Sequence, residues 1–187
     1  MRYTLISMFQ LSASFINRPV MSLRTGGQIS QILEAIINPN NLKIEGFYCQ
    51  DRTNRKQRLV LLSQDIRDVL PQGIAINDQD VLGPPEELVR LKDVMALKFI
   101  LIGKPVVTVS KERVGKVSDY AVETETMYIQ KLYVAQSVIK SLSGGGLSVE
   151  RSQIEEITNR KIVIQDPLRG VEAKETQAAP MPALPAS

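Results

Sequence analysis

Few residues of this chain could do chemistry, and each has a plain structural alternative. Cys49 is the only cysteine and there is no histidine. A thiol nucleophile needs a base, and here only lysine or arginine could lower its pKa. Cys49 reads instead as a small hydrophobe on a strand. A zinc site would have to be built from one thiol and carboxylates, a poor ligand set. Glu155 and Glu156 are adjacent, whereas hydrolysis by paired carboxylates needs groups converging across a cleft, so they read as surface. The chain is therefore expected to be no enzyme, with no catalytic residues, no cofactor and no metal.

Two stretches suit binding instead. QDRTNRKQR (50–58) is the densest charge cluster, with Arg52, Arg55, Lys56 and Arg58 against Asp51. It lies between two strand patterns, so it is expected at a hairpin tip, where four cations could meet phosphates or an acidic protein surface. The plainer alternative is a solvated turn. VIKSLSGGG (138–146) occupies the matching place in the second half of the chain and is apolar and glycine-rich. Its Ile139 and Leu142 are candidates for a partner's groove, or else fold back on the sheet. The glycine triplet is no phosphate-binding loop, since it lacks the Lys-Ser/Thr ending and leads into a strand.

The elements that position these stretches are written twice. DIRDVLPQGIAIN (65–77) and QIEEITNRKIVIQ (153–165) share one pattern 88 positions apart, with Ile66, Val69, Ile74 and Ile76 falling on Ile154, Ile157, Ile162 and Ile164. The same offset pairs Gly27 with Gly115, Ile29 with Val117, Ser30 with Ser118, Lys43-Ile44 with Lys131-Leu132, and Leu59 and Leu61 with Leu147 and Val149. NRPVMS (17–22) matches GKPVVTVS (103–110) with a shift of two. Such a constant offset implies a tandem duplication.

Each copy is mostly β by pattern. QISQILEAII, LKIEGFYCQ, RLVLL and GIAIN are strand-like runs separated by turn residues such as NPNN. Tyr48, Tyr120, Tyr128 and Tyr133 fall in strands, where packing is their usual use. Ile66 and Val69, three apart after Asp65, predict one helical turn, and QIEEI repeats it. Pro84-Pro85 followed by EELVRLKDVMAL, with Leu88, Leu91 and Met95 at helical spacing, predicts a helix over 85–97.

These motifs resemble the PRC-barrel family. LIGKPVVTVSKERVGKVSDY (101–120) is similar to the opening of such a domain, and the helical-turn and I-x-[IV] ending matches QIEEITNRKIVIQ. The first copy is a weaker version, with Asn17 where the glycine before Pro-Val is usual. The resemblance implies a mainly β fold of two tandem small barrels, residues 1–80 and 99–167; the helical pattern between them is the connector 81–98, and the 168–187 stretch, with few large apolar residues and three late prolines, is expected to be a disordered tail. It also implies a protein-binding adaptor or scaffold, since the family's settings include ribosome maturation factors, the photosynthetic reaction-centre H subunit and cell-division adaptors. A protein partner is expected, with RNA or a ribosomal particle at the 50–58 hairpin. A scaffold for membrane-associated, photosynthetic-type or cell-division assemblies is the alternative. The sequence leaves the oligomeric state open.

Composition agrees with a globular binding protein. The 187 residues carry 23 Lys+Arg against 20 Asp+Glu, too balanced for a nucleic-acid binder without a local patch. No apolar run reaches the ~20 residues of a membrane span. Gln10, Ser12 and Ser14 interrupt what would be a signal-peptide core at the N-terminus, so a cytoplasmic protein is expected.

Overall fold

The computed structural model describes residues 9–136 and 146–166. Its strands are β1 (Phe9–Leu11), β2 (Pro19–Ser22), β3 (Gln28–Asn38), β4 (Lys43–Asp51), β5 (Arg58–Leu62), β6 (Ile66–Leu70), β7 (Gly73–Ile76) and β8 (Leu82–Gly83). A short helix, α1 (Lys92–Ala96), precedes β9 (Pro105–Thr108), β10 (Arg113–Glu123), β11 (Ile129–Gln136), β12 (Leu147–Glu150), β13 (Ile154–Ile157) and β14 (Ile162–Ile164). They form two mixed seven-stranded sheets. One runs β6-β7-β2-β3-β4-β5-β8; the other runs β12-β11-β10-β9-β14-β13, with β1 on β10.

The mainly β class is as expected, but neither sheet is a closed barrel. Each strand order runs from one edge to another, and the terminal strands of a sheet do not pair with each other. The expected 85–97 helix is also shorter than its pattern. Pro85–Glu87 and Val89–Leu91 are single 3-10 turns, and only Lys92–Ala96 is α-helical. Leu88, at φ −88° and ψ 71°, breaks the helix between the turns, and no side chain caps any of the three pieces.

The two halves repeat each other in register, with three offsets: the 86 and 88 read from the sequence, and a third for the strands between. Val20 pairs in parallel with Ile74 as Val106 does with Ile162, so the first strands match 86 apart and the last 88 apart. Between them, Tyr48 opposite Glu34 corresponds to Tyr133 opposite Asp119, an offset of 85. Bulges recur at the same places, after Ile32 and Val117 and again after Ile36 and Ala121. The expected pairs Gly27–Gly115, Ile29–Val117, Ser30–Ser118 and Lys43–Lys131 are therefore out of register. Ser30 stands where Gly115 stands, and Ile32 where Val117 does, the last two both buried. Leu59 and Leu61 do match Leu147 and Val149.

The Asn17 anomaly has a backbone reason. Asn17 (φ 62°) and Gly103 (φ 80°) both adopt the left-handed conformation, and their N–H groups donate to Ile32 O at 2.9 Å and Val117 O at 2.7 Å. Asparagine is among the few residues with a side chain that enter this region readily, so it substitutes for glycine here.

The halves are locked together at their long-hairpin turns. Leu42 (φ 53°) and Met127 (φ 59°) are left-handed and buried. Ile44 N donates to Met127 O at 2.8 Å, and Ile129 N to Leu42 O at 2.9 Å. Lys43 and Tyr128 form an antiparallel bridge between the sheets. Buried apolar side chains from both halves make one continuous core, in which Phe15 stacks on Phe47 with ring centroids 5.4 Å apart.

The segments leading into the two halves are exchanged. β1, which precedes the first half, adds antiparallel to β10 of the second through Phe9–Glu123, Gln10–Val122 and Leu11–Ala121. α1, which precedes the second half, packs on β3 of the first.

Candidate functional site

The basic stretch lies at a hairpin tip, as its position between two strand patterns predicts. β4 and β5 pair up to Gln50–Arg58, and the turn beyond is organised by one carboxylate. Asp51 Oδ1 accepts from Thr53 N at 2.7 Å, Asn54 N at 2.7 Å and Thr53 Oγ1 at 2.5 Å. These hydrogen bonds, the Thr53 hydroxyl first and the Asn54 amide next, hold the Asp51 carboxyl below its usual range. Gln50 Nε2 donates to Arg55 O at 3.0 Å, and Gln57 N to Asn54 O at 2.9 Å, closing the loop.

The four cations divide into two kinds. Arg58 lies 3.8 Å over the Tyr48 ring and pairs with Glu34 at 3.0 Å, so it belongs to the sheet surface. Arg52 donates to Gln28 O at 3.1 Å and is exposed. Arg55 and Lys56 are exposed, and among the described residues no carboxylate pairs with Arg52, Arg55 or Lys56. The tip thus presents three cations on a turn fixed from inside. Ile139 and Leu142, the candidates of the second tip, lie outside the described residues, as does the 168–187 tail.

A depressed carboxyl stabilises the fold at pH values above its unfolded pKa, about 3.9 for aspartate. That contribution is lost as pH falls through the lower, folded value. Asp51→Ala is expected to cost about 1–2 kcal/mol at pH 7, in the range of lost side-chain caps. Urea midpoints of the two proteins should converge as pH falls through the lowered pKa of folded Asp51. A constant difference across that window would mean that Asp51 acts by packing.

Tyr48 and Arg58 also border a groove on the first sheet. It has a volume of about 350 Å3, with Glu34, Ala35, Ile36 and Ile37 of β3 on one wall and Val94, Met95, Lys98, Phe99 and Ile100 on the other. Ile100 is 61% exposed at its rim, whereas Phe99 is buried with Lys104 Nζ 4.4 Å over its ring. Sequence reasoning missed this groove because its two walls are about sixty residues apart.

Cys49 is fully buried on β4, and burial pushes its thiol up to about 12, so it is protonated at neutral pH. Glu155 and Glu156 are exposed on β13, with Glu155 accepting from Gln165 Nε2 at 2.8 Å. Tyr120 is core, and Tyr128 is flanked by Arg151 at 4.5 Å and Lys43 at 5.8 Å. Among the described residues no group of three or more His, Cys, Asp or Glu is placed to hold a metal ion, and no helix is long and apolar enough to cross a membrane. No family model and no curated protein matches this chain in sequence.

Proposed function

We propose that this chain is a non-enzymatic protein-binding scaffold, built from two PRC-type halves, that acts in ribosome or RNA-protein biogenesis. One observation carries the RNA contact. Asp51 fixes a turn from which Arg52, Arg55 and Lys56 project with no carboxylate partner among the described residues. A preordered cluster of cations loses little conformational freedom on meeting phosphates, and its affinity comes from counterion release.

The test is binding to purified small ribosomal subunits and to their naked RNA across a salt series. Arg52, Arg55 and Lys56 are changed together to Ser, and Arg58 is kept because it stacks on Tyr48. Three lost phosphate contacts should flatten log K against log salt by about 2. Binding with the same slope in the triple variant would make the tip a solvated turn and remove the RNA contact. The scaffold reading for membrane-associated, photosynthetic-type or cell-division assemblies would then be the better one, with the groove on β3 as its supporting feature.

A further inference from the structure

Because the halves repeat, a surface residue of one can be read against its register partner in the other. Pro19 lies opposite Gln31 and Pro105 opposite Lys116, so Lys116 stands where Gln31 stands. The parallel pairs Val20–Ile74 and Val106–Ile162 put Arg160 and Lys161 at the positions of Gln72 and Gly73. The turn into β9 repeats as well. Lys104 N donates to Leu101 O at 3.2 Å as Arg18 N does to Phe15 O at 3.2 Å, and left-handed Gly103 matches Asn17. Ile100 therefore stands where Ser14 stands. All four differences run one way: three neutral residues become cations and a serine becomes an isoleucine.

These residues share one surface. Lys116 and Pro105 are exposed ladder partners, and exposed Lys161 precedes the buried Ile162 that pairs with Val106, so Lys116 and Lys161 flank Pro105 on the outer face of the second sheet. Lys104 joins them, its Nζ donating to Asn159 O at 2.8 Å beside Arg160. Gly103 N donates to Val117 O at 2.7 Å, which holds the turn against β10 next to Lys116. Ile102, 43% exposed, sits in that turn. It and the exposed Ile100 alternate with the buried Phe99 and Leu101, so both project from the outer side of the segment that ends at Lys104. Among the described residues no carboxylate pairs with Lys104, Lys116, Arg160 or Lys161. Asp119, further along β10, accepts from Ser12, and Glu34, across the groove from Ile100, pairs with Arg58.

We propose that this surface of the second half docks on an anionic lipid bilayer, with Lys104, Lys116, Arg160 and Lys161 at the headgroups and Ile100 and Ile102 in the interfacial layer. Cations alone would suit any polyanion, RNA included. Exposed isoleucines gain little from a phosphate backbone, since their surface stays in water. A bilayer satisfies both kinds at once: apolar side chains leave water at the headgroup–acyl boundary while lysine and arginine stay with the anionic headgroups. The contact goes beyond the RNA reading and does not depend on it, because the basic tip belongs to β4 and β5 of the first sheet.

The test is co-sedimentation of the full-length protein with vesicles of phosphatidylcholine alone and of an equimolar phosphatidylcholine–phosphatidylglycerol mixture. The expected result is saturable binding to the mixed vesicles and none to the neutral ones. Changing Lys116, Arg160 and Lys161 together to Gln should weaken it on the order of a hundredfold, at about fivefold per cation. Ile100→Ser should weaken it about tenfold, whereas Ile100→Leu should not. Gln and Ser already stand at three of these four positions in the first half, so the variants should keep the wild-type urea midpoint. The variant with Arg52, Arg55 and Lys56 changed to Ser should bind the mixed vesicles as wild type does. No binding to the mixed vesicles overturns the proposal. So does undiminished binding of the Gln variant, or loss in the tip variant, which would place the lipid contact at the tip. Full binding of Ile100→Ser beside loss in the Gln variant also overturns it, since the contact would then be electrostatic alone and open to RNA.

Discussion

Gly115→Ala is expected to lower stability by about 3 kcal/mol, whereas Gly27→Ala is expected to leave it within about 0.5 kcal/mol. The two glycines fall on each other at the 88-residue offset, yet their surroundings differ. A methyl group at Gly115 would sit on the Ala135 carbonyl, 2.9 Å from its carbon and closer still to its oxygen, and 3.1 Å from Val134 Cγ1. Both belong to β11, the ladder partner of β10, so relief requires the strands to part. At Gly27 the nearest atom to such a methyl is Thr25 Oγ1 at 3.8 Å, an ordinary contact. For a chain of this size, 3 kcal/mol is roughly 6–12 °C in Tm. Thermal melts of the two single variants check this directly. Equal losses would place both glycines in equivalent, crowded sites and restore the single 88-residue offset.

That contrast shows where the sequence could be read and where it could not. The strand runs QISQILEAII, LKIEGFYCQ, RLVLL and GIAIN all form strands, because β-branched and alternating apolar residues need only local geometry. The pattern failed at two bulges in short strands. Ile66 and Val69, like Ile154 and Ile157, are spaced by three and suggest a helical turn. They lie on strands β6 and β13, where a bulge between Ile66 and Asp68, and between Ile154 and Glu156, inserts one residue. The extra residue turns a period of two into a spacing of three. Only the 3-10 turns Ser63–Asp65 and Arg151–Gln153 remain of the expected helices.

The offset failed for a related reason. Loop lengths differ between the halves by one to three residues, so identical letters, Gly27 and Gly115 among them, were matched across a gap. Hydrogen-bond register resolves this because Val20 and Val106 must each meet an isoleucine of the last strand. The basic tip was legible, since a charge run between two strand patterns has few other places to lie. Its division was not legible. Nothing local in QDRTNRKQR tells that Arg58 turns back to Glu34 and Tyr48 while Arg52, Arg55 and Lys56 face outward. The groove was hidden altogether, because it depends on exchange of the leading segments, a long-range event that leaves no mark in either segment.

Exchange also decides how the chain unfolds. Phe15→Ala is expected to cost about 3–5 kcal/mol, roughly 6–20 °C in Tm, and to lower the stability of both halves together. Phe15 lies at the crossover between β1, which belongs to the second sheet, and β2, which belongs to the first. It is 2% exposed, and its ring stacks on Phe47 at an interplanar angle of 21°. Its counterpart at the other crossover is Leu101, 86 residues on and 1% exposed. Beyond the lost ring contact, the variant leaves a cavity where the chain passes between the sheets. The Ile44–Met127 and Ile129–Leu42 hydrogen bonds tie the same two halves at their turns, so loosening one is transmitted to the other. Calorimetry should therefore show a single transition with equal calorimetric and van't Hoff enthalpies in both wild type and variant. Protection from hydrogen exchange should fall together at the amides of β4 and β11. Two separate transitions, or loss of protection confined to β2, β3 and β4, would mean that each half holds its own fold and that the exchanged segments merely rest on their neighbours.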